Sequence, residues 1–266
     1  MDYSKEKFDI IIQGGQSNAE GYGRGNVPNP YQPNEQIMYL NNTNYVWNHD
    51  KRIFTYKDEF AVQIAKEWAF ADNEEDLCGN FSLTFAQEYI KNGLLQEDRK
   101  ILIVRTAVGG TGFFDHIWGV NDVLGERLYK MTEYALSLNP ENRIIAFLWH
   151  QGKDDVCLGN PVANYYSQLK ALFDKVREKF GNMPLIAGDF AHAWKDYLPA
   201  EPIRNIIRKV ISDCGNGYFV ETNGLSSNSQ VLGDTDAVHF SKEGIYELGK
   251  RYFNAFMQLK NNKDYK

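Results

Sequence analysis

A serine on a glycine turn near one end of the chain, and a histidine three residues after an aspartate near the other, are the residue types that covalent acyl transfer requires. The segment Gly14-Gly15-Gln16-Ser17-Asn18 follows a short apolar run, so Ser17 is expected on a tight turn at the carboxyl end of a strand, where open α/β sheets bind ligands. Glycines there let the backbone approach a substrate, and a turn entering a helix offers N–H groups to a developing anion. A strand-to-helix turn with a capping serine has the same sequence, and Ser17 alone does not separate the two. Asp236-Ala237-Val238-His239 supplies what Ser17 lacks. An imidazole takes the serine proton, and a carboxylate on its other nitrogen fixes the tautomer and stabilises the cation. A neighbouring Asp and His are more often a surface pair, but with only five histidines in the chain the coincidence is informative.

Two further turns follow apolar runs in the same way: Ala107-Val108-Gly109-Gly110-Thr111 after 101–106, and His150-Gln151-Gly152-Lys153-Asp154 after 144–149. Both are expected on the sheet edge that carries Ser17. Acyl transfer builds a negative tetrahedral oxygen, which preorganised N–H donors stabilise. The Ser17 N–H, the Gly110 N–H and the Gln151 amide are three candidate donors. Each has a plainer alternative, since Gly109 and Gly110 would also simply turn the chain and Gln151 would cap a helix. Unrelated coincidences on one edge are a weaker explanation than one site.

Holding those turns together requires strands that end on a common edge. Five continuous apolar runs, 8–13, 101–106, 144–149, 184–188 and 218–221, read as parallel strands buried on both faces. Helical patterns at 59–71, 122–138 and 161–180 fall between them; in the last, Tyr165, Leu169, Leu172, Phe173 and Val176 recur at helical spacing between Pro161 and Gly181. The alternation predicts a three-layer, flavodoxin-like α/β/α sandwich around a five-stranded parallel sheet. Residues 22–55, rich in Asn, Pro and Tyr, read as a long irregular insertion that builds part of the pocket wall. No linker, repeat or low-complexity block marks a second domain, so 1–266 reads as one.

Composition excludes several classes. A formal net charge of −6 argues against binding a phosphate backbone, which depends on clustered Lys and Arg, so nucleic acid is not an expected partner. Cys78, Cys157 and Cys214 lack CxxC spacing, which argues against a disulfide framework or a zinc site. No apolar stretch is long enough to cross a bilayer. The opening residues lack the pattern of a signal peptide, which places the protein in the cytoplasm, or outside it where a leader has been removed.

Taken together, GQSN at 15–18, GGT at 109–111, WHQG at 149–152 and DxxH at 236–239 resemble, in order, the motifs of the sialate O-acetylesterase and acetylxylan esterase branch of the SGNH hydrolase superfamily, over nearly the whole chain. The resemblance implies a triad of Ser17, Asp236 and His239, an oxyanion hole of Ser17, Gly110 and Gln151, and no metal or organic cofactor. One departure stands out: Lys153 occupies the position where such proteins commonly carry an acid after HQG. Lysine cannot accept a hydrogen bond, so the shell around Gln151 needs a different network or a nearby acid such as Asp155.

The expected function is therefore removal of O-acetyl groups from a carbohydrate, an acetylated xylan-type glycan or a sialic acid. Gln16, Asn18, Gly109 and His150 are candidate substrate contacts, and Tyr22, Trp47, Phe113, Phe114, Trp118, Trp194 and Tyr197 are candidate aromatic faces. Loop aromatics more often pack on a core than on a ligand. Arg24 would pair with a sialic acid carboxylate, unless it is simply a solvated arginine. The rival readings are a carbohydrate-binding protein without turnover, motivated by Lys153, and an esterase for longer acyl chains. A nucleotide site is disfavoured because the glycines at 14–25 match neither a P-loop nor GxGxxG.

Overall fold

The computed structural model describes residues 3–69, 77–195 and 199–264. The chain opens with β1 (Lys7–Gly15) and the single turn α1 (Ser17–Glu20), then β2 (Ile37–Asn42), β3 (Tyr45–Asn48), β4 (Ile53–Tyr56), β5 (Phe60–Ile64), β6 (Trp68–Ala69) and β7 (Leu77–Cys78). Next come α2 (Phe81–Lys91), β8 (Arg99–Arg105), α3 (Val123–Ser137), β9 (Arg143–His150) and α4 (Lys153–Cys157). The remainder is α5 (Val162–Phe180), β10 (Leu185–Gly188), α6 (His192–Lys195), α7 (Glu201–Cys214), β11 (Gly217–Val220), α8 (Asn228–Leu232) and α9 (Lys242–Asp264).

Seven strands form the main sheet in the order β11-β10-β9-β1-β8-β2-β5, all parallel except β5, which runs antiparallel to β2. The five strands expected from the apolar runs are β1, β8, β9, β10 and β11, and their order in space is that of flavodoxin-like sheets. β1 lies at the reversal of that order, paired with β8 on one side and β9 on the other. The turns following these three strands therefore surround one crevice at their carboxyl ends.

Side chains of β1 alternate between two cores: Ile10 and Ile12 join the residues of α3, α5 and α7, whereas Ile11 joins those of α2 and α9. That alternation makes the three layers, and it explains why a strand buried on both faces reads as an unbroken apolar run. Among the described residues no helix is long and apolar enough to cross a membrane.

The sheet is wider than expected. Within 22–55, read as irregular, β2 pairs in parallel with β8, and β3 and β4 form a hairpin. The expected helix at 59–71 is also corrected over its described part, residues 70 and 71 lying outside the described residues: residues 60–64 form β5, which pairs with β2 from Asn42↔Phe60 to Met38↔Ile64. Phe60 and Val62 pack against the core from one side of this edge strand. Apolar residues at 60, 62, 64 and 65 satisfy both periods, and the open edge of β2 selects the strand. The expected helices at 122–138 and 161–180 are α3 and α5.

Candidate active site

Ser17 begins α1 directly after β1, and the turn between them has no room for a side chain at Gly15. Gly15 has φ +126°, and a Cβ there would lie 2.2 Å from the His150 carbonyl oxygen. The neighbouring Gln16 N–H donates to that oxygen at 3.0 Å. The nucleophile turn is thus laid directly on the end of β9. Gln16 itself does not face outward: its Oε1 accepts the N–H groups of Gly152 (3.2 Å) and Asp154 (3.3 Å), capping α4.

His239 reaches Ser17 from the loop before α9. Its Nε2 is 2.8 Å from Ser17 Oγ, and its Nδ1 is 2.9 Å from Asp236 Oδ2. An ionised carboxylate only accepts, so Nδ1 carries the proton and the bare Nε2 accepts from the Ser17 hydroxyl. Asp236 also accepts from the His239 N–H at 3.2 Å and from Asn228 Nδ2 at 2.8 Å. Burial alone would raise the Asp236 carboxyl, but the bonds from His239 and Asn228 outweigh it and hold the group well below the usual carboxylate range. Tyr22 stacks on the His239 ring with centroids 4.9 Å apart.

The two halves of this chain of hydrogen bonds are clamped together by Asn18. Its Nδ2 donates to Val238 O at 3.0 Å, and its Oδ1 accepts the Phe240 N–H at 3.1 Å, so the loop is gripped on both sides of His239. Asn18 thus braces the loop, and it also lines a narrow cleft with Gln16 and Trp194. Asn228 acts similarly behind Asp236, donating to Tyr22 O at 3.0 Å and accepting the Arg24 N–H at 2.9 Å.

After β8, the Gly109-Gly110 turn lies against Ser17. Gly109 N–H donates to Glu20 Oε2 at 2.7 Å, while the N–H groups of Ser17 and Gly110 meet no acceptor among the described residues. Gly110 has φ +69°, and the β3–β4 hairpin packs on it: a Cβ there would lie 3.1 Å from His49 Nδ1 and 3.7 Å from Trp47 Nε1. Arg52, at the end of that hairpin turn, donates to Gly110 O at 3.0 Å and forms an ion pair with Asp115.

Gln151, after β9, is 1% exposed and fully engaged. Nε2 donates to Asp155 Oδ2 at 2.5 Å and to Thr111 O at 3.3 Å, and Oε1 accepts from Tyr165 OH at 3.0 Å. Asp155 also accepts from Phe113 N, Phe114 N and Asn160 Nδ2 at 3.1, 2.9 and 2.7 Å. Burial raises its carboxyl, against the pull of these bonds. The acid that Gln151 needs is therefore Asp155, and Lys153 stands aside, its ammonium 3.5 Å from Asp154.

The other expected substrate contacts are divided between buried, paired and open positions. Phe113 and Trp118 are completely buried, Trp118 Nε1 donating to Thr111 Oγ1 at 2.8 Å. Arg24 pairs with Asp234 and Asp236, so its charge is spent within the Asp236 loop. His150 is buried beside Tyr252, with 3.1 Å between Nδ1 and the hydroxyl, and lines the same narrow cleft as Gln16 and Asn18. Phe114 is 42% exposed, Trp47 is half-buried on the hairpin, and Trp194 lines a narrow cleft with Phe190, Val238, Gln16 and Asn18. Tyr197 lies outside the described residues. A larger open groove of about 900 Å³ between α2 and α9 contains none of the residues of the hydrogen-bonded chain. Glu20 and Asn228 had no signal of their own in the sequence; Glu20 was marked only by sharing one helical turn with Ser17.

An open, mainly parallel sheet with this strand order is the fold of the SGNH/GDSL hydrolases. Within that class, the family model described as "Carbohydrate esterase, sialic acid-specific acetylesterase" matches residues 7–258. The chain belongs to this family and is a carboxylic ester hydrolase. Among solved structures, NanS superposes with a TM-score of 0.73 at 19% identity, covering 97% of this chain and 99% of its own. A protein from Arabidopsis thaliana gives 0.67 at 20% identity, with 95% and 98% covered. A carbohydrate acetylesterase from Xanthomonas citri gives 0.61 at 14% identity, with 94% of this chain and 56% of that one covered. At such identities these structures carry the fold. No curated protein matches the sequence.

Proposed function

We propose that the protein is a serine esterase that removes O-acetyl groups from a carbohydrate, an acetylated xylan-type glycan or a sialic acid. The observation that carries this reading is the unbroken chain Ser17 Oγ, His239 Nε2, His239 Nδ1, Asp236, with links of 2.8 and 2.9 Å. Ser17 attacks the acetyl carbonyl as His239 takes its proton; His239 returns the proton to the departing sugar oxygen, and water then hydrolyses the acetyl-enzyme with the same base. Asp236 holds the tautomer and stabilises the imidazolium.

The unengaged N–H groups of Ser17 and Gly110 are the donors that would meet the tetrahedral oxygen. Gln151 reaches the same oxygen only by giving up its longer bond to Thr111 O; otherwise its role is to hold the Gly109–Thr111 turn against β9. The family description supports an acetylated carbohydrate as substrate class. The motive for a binding protein without turnover was the displaced acid at 153, and Asp155 supplies that acid to Gln151. We infer also that 1–266 acts as one catalytic domain, because Ser17 after the first strand and His239 before the last helix meet at 2.8 Å.

The test is hydrolysis of acetyl, butyryl and octanoyl p-nitrophenyl esters by the protein and by Ser17→Ala, followed by acetylated xylo-oligosaccharides and O-acetyl sialic acids. Acetyl-selective turnover abolished in the variant supports the reading. No turnover by the folded protein overturns it.

A further inference from the structure

Glu20 ends the helical turn that Ser17 begins, and the reaction derived above makes no use of its side chain. Its Oε2 accepts the Gly109 N–H at 2.7 Å. A Cβ built on Gly109 would meet Glu20 Oε2 at 3.0 Å, with Ser17 Cβ and Tyr22 OH each at 3.4 Å, so the carboxyl, the nucleophile and the glycine turn are packed against one another. The Glu20 backbone is anchored from behind, its carbonyl accepting from Arg105 at 2.9 Å and from Asn80 at 3.2 Å. Arg105 is itself held between the rings of Tyr39 and Trp68, each 4.7 Å away.

Two consecutive glycines are the least self-ordered dipeptide, and an oxyanion donor is effective only where its direction is set before the charge develops. The Gly109–Gly110 peptide carries the free Gly110 N–H and is restrained from both ends: Glu20 takes the N–H of Gly109, and Arg52 donates to the carbonyl of Gly110 at 3.0 Å. We propose that Glu20 is a positioning residue of the oxyanion hole, fixing the Gly109–Gly110 peptide so that the Gly110 N–H stays directed at the acyl oxygen. This rests on the reading of Ser17 and Gly110 as oxyanion donors. Burial raises the Glu20 carboxyl, with Arg105, the Gly109 N–H, Arg127 and His239 acting against it. In either ionisation state an oxygen remains to accept the Gly109 N–H, so the hold needs reach rather than charge.

Two substitutions separate reach from charge. Glu20→Asp keeps the charge beside Arg105 and Arg127 but is too short to reach Gly109; Glu20→Gln keeps the reach and removes the charge. On p-nitrophenyl acetate, with melting curves confirming that both variants are folded, E20D is expected to lose roughly tenfold or more in kcat with KM within about threefold. E20Q should recover most of that loss. The rate at which a p-nitrophenyl phosphonate modifies Ser17 should fall in parallel in E20D, since its phosphoryl oxygen uses the same donors. Equal losses in E20D and E20Q, or a full phosphonylation rate in E20D, overturn the proposal. Failure of the wild type to hydrolyse the ester or to react with the phosphonate instead overturns the esterase reading beneath it, and the positioning role with it.

Discussion

The side-chain oxygen of Asn18 accepts the backbone N–H of Phe240 at 3.1 Å, joining the residue after the candidate nucleophile to the residue after its base. The same amide donates to Val238 O, so the histidine loop is tied to the serine turn at two points. Replacing Asn18 by Ala removes both ties and leaves the Ser17 hydroxyl and the His239 ring chemically intact. A displacement of His239 by about 1 Å costs up to about a hundredfold in rate. N18A is expected to lose roughly ten- to a hundredfold in kcat for p-nitrophenyl acetate, while circular dichroism stays native. Activity within twofold of wild type would show that the loop needs no brace.

Asp236 should reveal itself in both rate and stability. Asp236→Asn makes the wrong His239 tautomer available and is expected to lower kcat roughly 10³–10⁴-fold. Because the folded-state carboxyl lies below its unfolded value of about 3.9, its contribution to stability is present above that pH and disappears as the pH falls through the folded value. Melting curves of wild type and D236N should therefore differ at pH 7 and converge on acidification. A gap that widens toward acid would contradict the assigned direction.

The Asp155 carboxylate gathers four donors, from Gln151, Asn160, Phe113 and Phe114, in a fully buried place. Asp155→Ala leaves them unpaired and is expected to destabilise the protein, at about 1–3 kcal/mol for each buried donor left without an acceptor, measured by urea unfolding. Lys153→Glu restores the acid common after HQG, yet should change kcat/KM by less than about threefold, because Gln151 is already held. A large gain in K153E would mean that the shell around Gln151 is incomplete.

His150, behind the nucleophile turn, supplies an acid-sensitive element. The Tyr252 hydroxyl donates to Trp149 O at 2.8 Å, so it accepts from His150 Nδ1, and Nε2 is left buried without a partner. Burial lowers this imidazole to about 4. The unfolded histidine titrates at about 6.5, so between these values the unfolded chain binds a proton that the folded one refuses, and stability falls as the pH drops. His150→Phe should flatten the dependence of the melting temperature on pH between about 6.5 and 4. An unchanged slope would place the acid sensitivity elsewhere.

Much of this arrangement was legible in the residues. Ser17, Gly110, Gln151 and the pair Asp236 and His239 stand out as candidates because each follows a strand or precedes a helix, and those boundaries are written in local pattern: apolar runs, glycines and polar turn residues. The two outer strands were not found. The apolar residues of β2 sit in an Asn- and Pro-rich stretch, and those of β5 fit a helix as well as a strand, so only pairing along β8 and then β2 selects their conformation. Phe113, Trp118 and Arg24 show the same limit, since a loop residue's type does not reveal whether it turns inward.

What the sequence by itself determined is five strands of the main sheet, their parallel order, and which residues follow them toward the crevice, because hydrophobic period and turn chemistry are local properties. Tertiary structure alone decided what each polar group there does. Asn18 became a clamp, Gln16 a cap for α4, Arg24 a partner of the Asp236 loop, and Glu20 the holder of the Gly109 N–H. The reason is that a hydrogen bond depends on distance and direction between groups up to 222 residues apart, and those are fixed only when strand pairing and the two cores have set the spacing of the turns.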